Sequence, residues 1–134
     1  MGGRGYSNNV EWYLNGGKRT IEFQAAYKTE DGKIDILYDK VSPQAPTMPI
    51  FSNTADKIYA VVGKNGEIKS IGFYNDKHVL TKSIHLDHSD GNIKGPHVHI
   101  GDSYHHKSGD SRKPTRSEKE MIRHIQDMWI KNRR

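Results

Sequence analysis

Over most of residues 21–87 the chain alternates apolar and polar side chains with a period of two or runs apolar for the length of a strand, and apart from a proline-bearing stretch at 41–54 the breaks are tight-turn sequences. That pattern is written for half-buried antiparallel strands joined by short turns, and it excludes long helices over half of the chain. Ile21, Phe23, Ala25 and Tyr27 alternate with Glu22, Gln24 and Lys28; Glu30-Asp31-Gly32 turns the chain; Ile34, Ile36 and Tyr38 then alternate with Asp35 and Asp39. A second hairpin follows. Residues 58–62 are apolar throughout, Asn65-Gly66 is a strong two-residue turn signal, and residues 68–74 return. Asn75-Asp76-Lys77 turns once more into a strand over residues 79–87, which makes a three-stranded meander.

The flanking segments read differently. Residues 1–9 are a flexible N-terminal segment, and residues 10–134 form a single domain. Residues 10–14 form a short strand or helical turn, closed by Asn15-Gly16-Gly17. Pro43, Pro46 and Pro49 keep residues 41–54 irregular. Pro96-His97-Val98-His99-Ile100 is a short strand between two polar loops. Ser117 with Glu120 three residues later forms a capping box, and Met121, Ile122, Ile125, Met128 and Trp129 then line one stripe of a closing helix. The expected fold class is α+β: an antiparallel sheet of five or six strands with the C-terminal amphipathic helix packed on one face.

Composition narrows the chemistry. The absence of cysteine excludes disulfides, thiolate metal sites and a cysteine nucleophile. No apolar run approaches the roughly 18 residues of a membrane span, so no membrane partner is expected. No phosphate-binding glycine loop, Gly-x-Ser-x-Gly elbow or His-Glu-x-x-His helix occurs. Residues 1–104 carry twelve basic and twelve acidic residues, whereas residues 105–134 carry nine basic and four acidic ones, so the whole net charge of +5 lies at the C-terminal end. A field so localised suits a polyanion such as RNA, or simply solvates a helix face.

Six of the eight histidines lie between positions 85 and 106. His97 and His99 are two apart on a strand and share a face. Leu80, Ile84 and Leu86 mark the core side of the preceding strand, which turns His85 and Asp87 to the opposite, open face. If the strands pair, His85, Asp87, His97 and His99 gather there. Three readings of this cluster compete. His97 and His99 can act as general base and general acid in metal-free RNA cleavage, with His85 or His88 assisting and Lys94, Arg112, Lys113 and Arg116 holding phosphate. Alternatively, His97 and His99 with His85, His88 or Asp87 can ligate zinc or another divalent metal. Thirdly, exposed histidines in polar loops can have no chemical role. Tyr104 either stacks on a base or anchors its loop. His105 and His106 read as a solvated loop, His78 and His124 as surface positions, and Trp12 and Trp129 as core.

The runs Tyr59-Ala60-Val61-Val62, Ile71-Gly72-Phe73-Tyr74, Ile84-His85-Leu86-Asp87-His88 and Gly95-Pro96-His97-Val98-His99-Ile100-Gly101 resemble the C-terminal toxin domains of bacterial polymorphic toxin systems and related phage-associated proteins. The resemblance covers roughly residues 50–134 and is carried mainly by Pro-His-x-His. It implies a cytoplasmic, bacterial or phage-encoded, metal-independent ribonuclease of the broad group that includes barnase, without cofactor, with RNA as substrate and an immunity protein as partner. On that basis His97 and His99 are the paired catalytic histidines, and His85, Asp87 and His88 occupy the family's Asp-His region.

Overall fold

The computed structural model describes residues 9–14, 17–39, 48, 52, 54–86, 95–101 and 111–133. Eight strands lie in sequential order in one sheet, followed by a single helix: β1 (Asn9–Leu14), β2 (Gly17–Lys28), β3 (Ile34–Asp39), β4 (Ile58–Val62), β5 (Ile68–Tyr74), β6 (Leu80–His85), β7 (His97–Ile100), β8 (Ser111–Arg112) and α1 (Arg116–Asn132). The fold is α+β, with more strands than the expected five or six. The additions are the β1 ribbon on β2 and the two-residue β8, whose Ser111-Arg112 carries no periodic signal of its own. The N-terminal segment before Asn9 and most of the proline-rich stretch lie outside the described residues.

The expected hairpins form. Gly66 lies at φ +84 and its N–H donates to the Gly63 carbonyl at 3.0 Å, so the Asn65-Gly66 signal becomes a turn with a left-handed glycine. All neighbouring strands are antiparallel except β3 and β4, which pair in parallel with Ile36 opposite Ala60. A parallel pair needs a crossover rather than a hairpin. The intervening proline-bearing stretch makes that crossover, and its Met48 is buried.

Both faces of the sheet are consequently covered. On one face Ile34, Ile36, Ala60, Ile71, Ile84 and Val98 pack against Ile122 and Ile125 of α1, with Met121, Met128 and Trp129 at the margin, as the apolar stripe predicts. On the other face Phe23, Leu37, Met48, Tyr59, Val61, Tyr74 and Leu80 form a second cluster. The buried polar residues Asp35, Ser70, Ser83, His97 and His99 share this second face, as the alternation and register of β3–β7 require. Buried Asp35 is neutralised by Lys57, whose Nζ lies 3.0 Å from Oδ1 and donates to the Gly32 carbonyl at 2.6 Å.

The helix begins earlier than expected. Thr115, not Ser117, is the N-cap, and Glu118 completes the box: the Glu118 N–H donates to Thr115 Oγ1 at 3.2 Å and the Thr115 N–H to Glu118 Oε1 at 2.8 Å. Two overlapping boxes are present in the sequence, Thr115/Glu118 and Ser117/Glu120. The first prevails because its carboxylate is also used by the sheet. Arg112 donates to both Glu118 oxygens at 2.8 Å, and Lys82 Nζ approaches Oε2 at 2.7 Å. Only 4% of Glu118 is exposed. The Arg112 hydrogen bonds, supported by Lys82 and the Thr115 N–H, hold its carboxyl well below the usual range despite burial. A depressed carboxyl stabilises the fold above the unfolded pKa of about 4.3 and loses that contribution as pH falls toward the folded value. Replacement Glu118→Gln is therefore expected to cost about 2 kcal/mol at neutral pH, with a shallower loss of stability below pH 4 than the parent shows in chemical denaturation.

Candidate functional site

The β6–β7 ladder sets the geometry of the site. His85 lies opposite His97 and Ser83 opposite His99, while Ile84 and Val98 form the intervening pair that faces α1. Paired residues of an antiparallel ladder share a face, so three imidazoles and Ser83 meet on the side away from the helix. The rings of His85 and His97 are nearly parallel, with centroids 5.4 Å apart. His99 stands edge-on to both, at 4.6 Å from His85 and 4.9 Å from His97. One ring nitrogen of each residue lies within 4.8 Å of those of the other two.

Gly95-Pro96 shapes the entry to this strand. Gly95 adopts φ +80, a conformation suited to glycine, and its carbonyl lies 3.2 Å from His97 Nδ1. A carbonyl only accepts, so Nδ1 carries the proton and the lone pair of the neutral imidazole sits on Nε2. Ser83 Oγ lies 3.2 Å from His85 Nε2 and holds the second ring. Ser70, also buried, pairs with His85 from the β5 side, and Ser111 pairs with His99 from β8. The hydroxyls of Ser70 and Ser83 escaped the sequence reading, although the alternation that turns His85 away from Ile84 also turns Ser83 with it.

The expected convergence of His85, His97 and His99 is present, but the face is not open: His97 is 0% and His99 5% exposed, and His85 is half-buried. The alternation correctly separates the two faces of β7. It carries no information on what covers the second one, and that face has a core of its own. His78 and His124 are exposed, as expected. Trp129 packs at the edge of the helix-side core and donates Nε1–H to the Gly66 carbonyl at 2.8 Å. Asp87, His88, Lys94, Tyr104, His105 and His106 lie outside the described residues, as does the Trp12 side chain.

Of the cations expected to hold phosphate, the three described ones lie on the helix side. Arg112 is engaged bidentately by Glu118, which raises its pKa further. Arg116 is the first helical residue, 94% exposed, with Nε 3.8 Å from Glu120. Lys113 is exposed beside Pro114. None of the three is brought to the histidine face by the register that assembles the imidazoles. No helix among the described residues is long and apolar enough to cross a membrane.

No family model matches the chain, and no curated protein or solved structure matches it either.

The burial pattern is testable by chemical labelling. Under diethylpyrocarbonate, mass mapping should find His124 and His78 modified early and His97 last; equal rates at His97 and His124 would mean that the second face is open.

Proposed function

We propose that the protein is a divalent-metal-binding domain in which His85, His97 and His99 hold a zinc-class ion. The observation that carries this reading is the convergence of one ring nitrogen from each histidine, mutually within 4.8 Å, on a largely buried face. Zn–N bonds of about 2.1 Å put tetrahedral ligand nitrogens about 3.4 Å apart, so small rotations of the imidazoles close the set. Neutral imidazole suits zinc, copper, nickel and iron, and a chain without cysteine offers no thiolate alternative. The Gly95 carbonyl supports the same reading, since a backbone acceptor on the far nitrogen is the usual means of fixing a ligating histidine. Ser83 does the equivalent for His85 if Nδ1 is the ligating atom there. Three histidine ligands would leave a position on the ion for water or substrate, and such an ion would supply Lewis-acid chemistry there.

A second reading is metal-independent RNA cleavage by the same histidines, with an immunity protein as partner. It is favoured by ring centroids 4.6 to 5.4 Å apart, which suit a base and an acid acting on neighbouring oxygens, and by the toxin-domain resemblance. Burial of His97 and His99 weighs against it, because an RNA backbone must reach both groups.

Titration calorimetry with zinc, after EDTA treatment and dialysis, distinguishes the two. One equivalent is expected to bind the parent, with affinity reduced roughly 100-fold or more in His97→Gln and in half-buried His85→Ala, circular dichroism reporting that each variant is folded. Unchanged affinity in folded variants would sink the metal centre. RNA cleavage that survives EDTA and vanishes in both variants would establish the acid–base reading instead.

A further inference from the structure

On the helix side of the sheet, Lys113, Lys119 and Arg123 surround a groove of about 520 Å³ whose walls include Pro96, Pro114 and Ile122. We propose that this groove docks single-stranded polynucleotide, with a phosphodiester held among the three cations and the attached base or ribose laid over the apolar walls. The inference is independent of the metal centre, which lies on the opposite face of β7.

Charge is the first argument. Several other cations of β6, β8 and α1 have acidic partners: Arg112 and Lys82 pair with Glu118, Arg116 with Glu120, and Arg133 with Glu67. Lys113, Lys119 and Arg123 have no ion pair among the described residues, and no acidic residue lines the groove. Lys119 and Arg123 are four residues apart, hence on one face of α1, and both are exposed. Like charges so placed repel one another and destabilise the isolated helix slightly; a bound anion relieves that repulsion. The net charge of the whole chain is carried by residues 105–134, the segment to which Lys113, Lys119 and Arg123 belong.

Shape is the second argument. The volume falls in the range of about 300 to 1,000 Å³ typical of small-ligand sites, so the groove takes a nucleotide-sized unit rather than a bare ion. An acidic peptide supplies negative charge but no flat apolar body to cover two prolines and an isoleucine. A nucleotide supplies both, and a flat base covers the prolines and the isoleucine by burying apolar area, a contact tolerant of sequence. Duplex is disfavoured because its bases are already stacked on one another.

The test is fluorescence anisotropy in EDTA with a labelled single-stranded RNA of about twelve nucleotides. Saturable, salt-dependent binding is expected. In Lys119→Gln/Arg123→Gln it should weaken at least tenfold, with the slope of log affinity against log salt reduced by about 1.4, roughly 0.7 for each phosphate no longer neutralised. Lys131→Gln, exposed in the last helical turn, should leave binding unchanged. Three results would overturn the proposal: no saturable binding to the parent, parent-like binding by the double variant, or equal competition by inorganic phosphate or polyglutamate at the same charge concentration. The first two remove the site. The third reduces it to a phosphate or acidic-peptide site.

Discussion

A single buried carboxylate joins the parts of this molecule that must stay in register. Glu118 caps its own helix through Thr115, receives both arms of Arg112 from β8, and receives Lys82 from β6. Hydrogen bonds of this charge-assisted, bidentate kind are directional as well as strong. They fix where α1 starts, the angle at which it meets the sheet, and the position of a two-residue edge strand too short to hold itself. Desolvating a carboxylate is costly, and four donors from three elements offset that cost only when all are in place. The arrangement therefore specifies geometry more than it adds raw stability. It also sorts the surrounding cations: those aimed at Glu118 are consumed in holding the helix, and those aimed away remain available to other anions.

The two faces of the sheet are chemically unlike. The helix face is mainly apolar from β3 to β7, with Glu118, held by its two cationic partners, its buried polar exception. The second face mixes an apolar cluster under Phe23, Tyr59 and Met48 with buried Asp35 at β3, and toward β6 and β7 serines and histidines are buried together. Buried imidazoles and hydroxyls contribute little to folding unless satisfied, and an aliphatic set of the same size would pack more cheaply. A fold stabilised on its helix side can carry that cost on the other.

Much of this was legible in the amino-acid order, and the exceptions have physical causes. The hairpin from β4 to β5, the strand containing Pro-His-x-His and the apolar stripe of α1 are local, and their periodicities report them directly. The parallel pairing of β3 with β4 is a long-range event that no local pattern encodes; a proline-rich stretch reads as irregular chain whether it wanders over the surface or places Met48 in a core. The choice of Thr115 over Ser117 as N-cap turned on Arg112 and Lys82, distant partners that reward one carboxylate and not the other. The proximity of His85, His97 and His99 was foreseeable from period and pairing. Their burial was not, because alternation separates two faces without saying how many are covered.

The histidine cluster depends on strand register, and register is held from the far side. Because side chains alternate, a slip of one residue between β6 and β7 would carry His97 and His99 to the helix face and Val98 to the other. What opposes the slip is the Ile84–Val98 pair, fully buried beneath α1 along with Ile125. Those side chains touch none of the imidazoles, yet they determine that His85 faces His97 rather than Val98. The left-handed Gly95 adds a second restraint at the strand entry by tying the His97 ring to the backbone ahead of it. The aliphatic core and the polar site are thus two readings of one ladder. Enlarging or shrinking the core side would be felt by the histidines as a change of spacing, even though every imidazole was left in place.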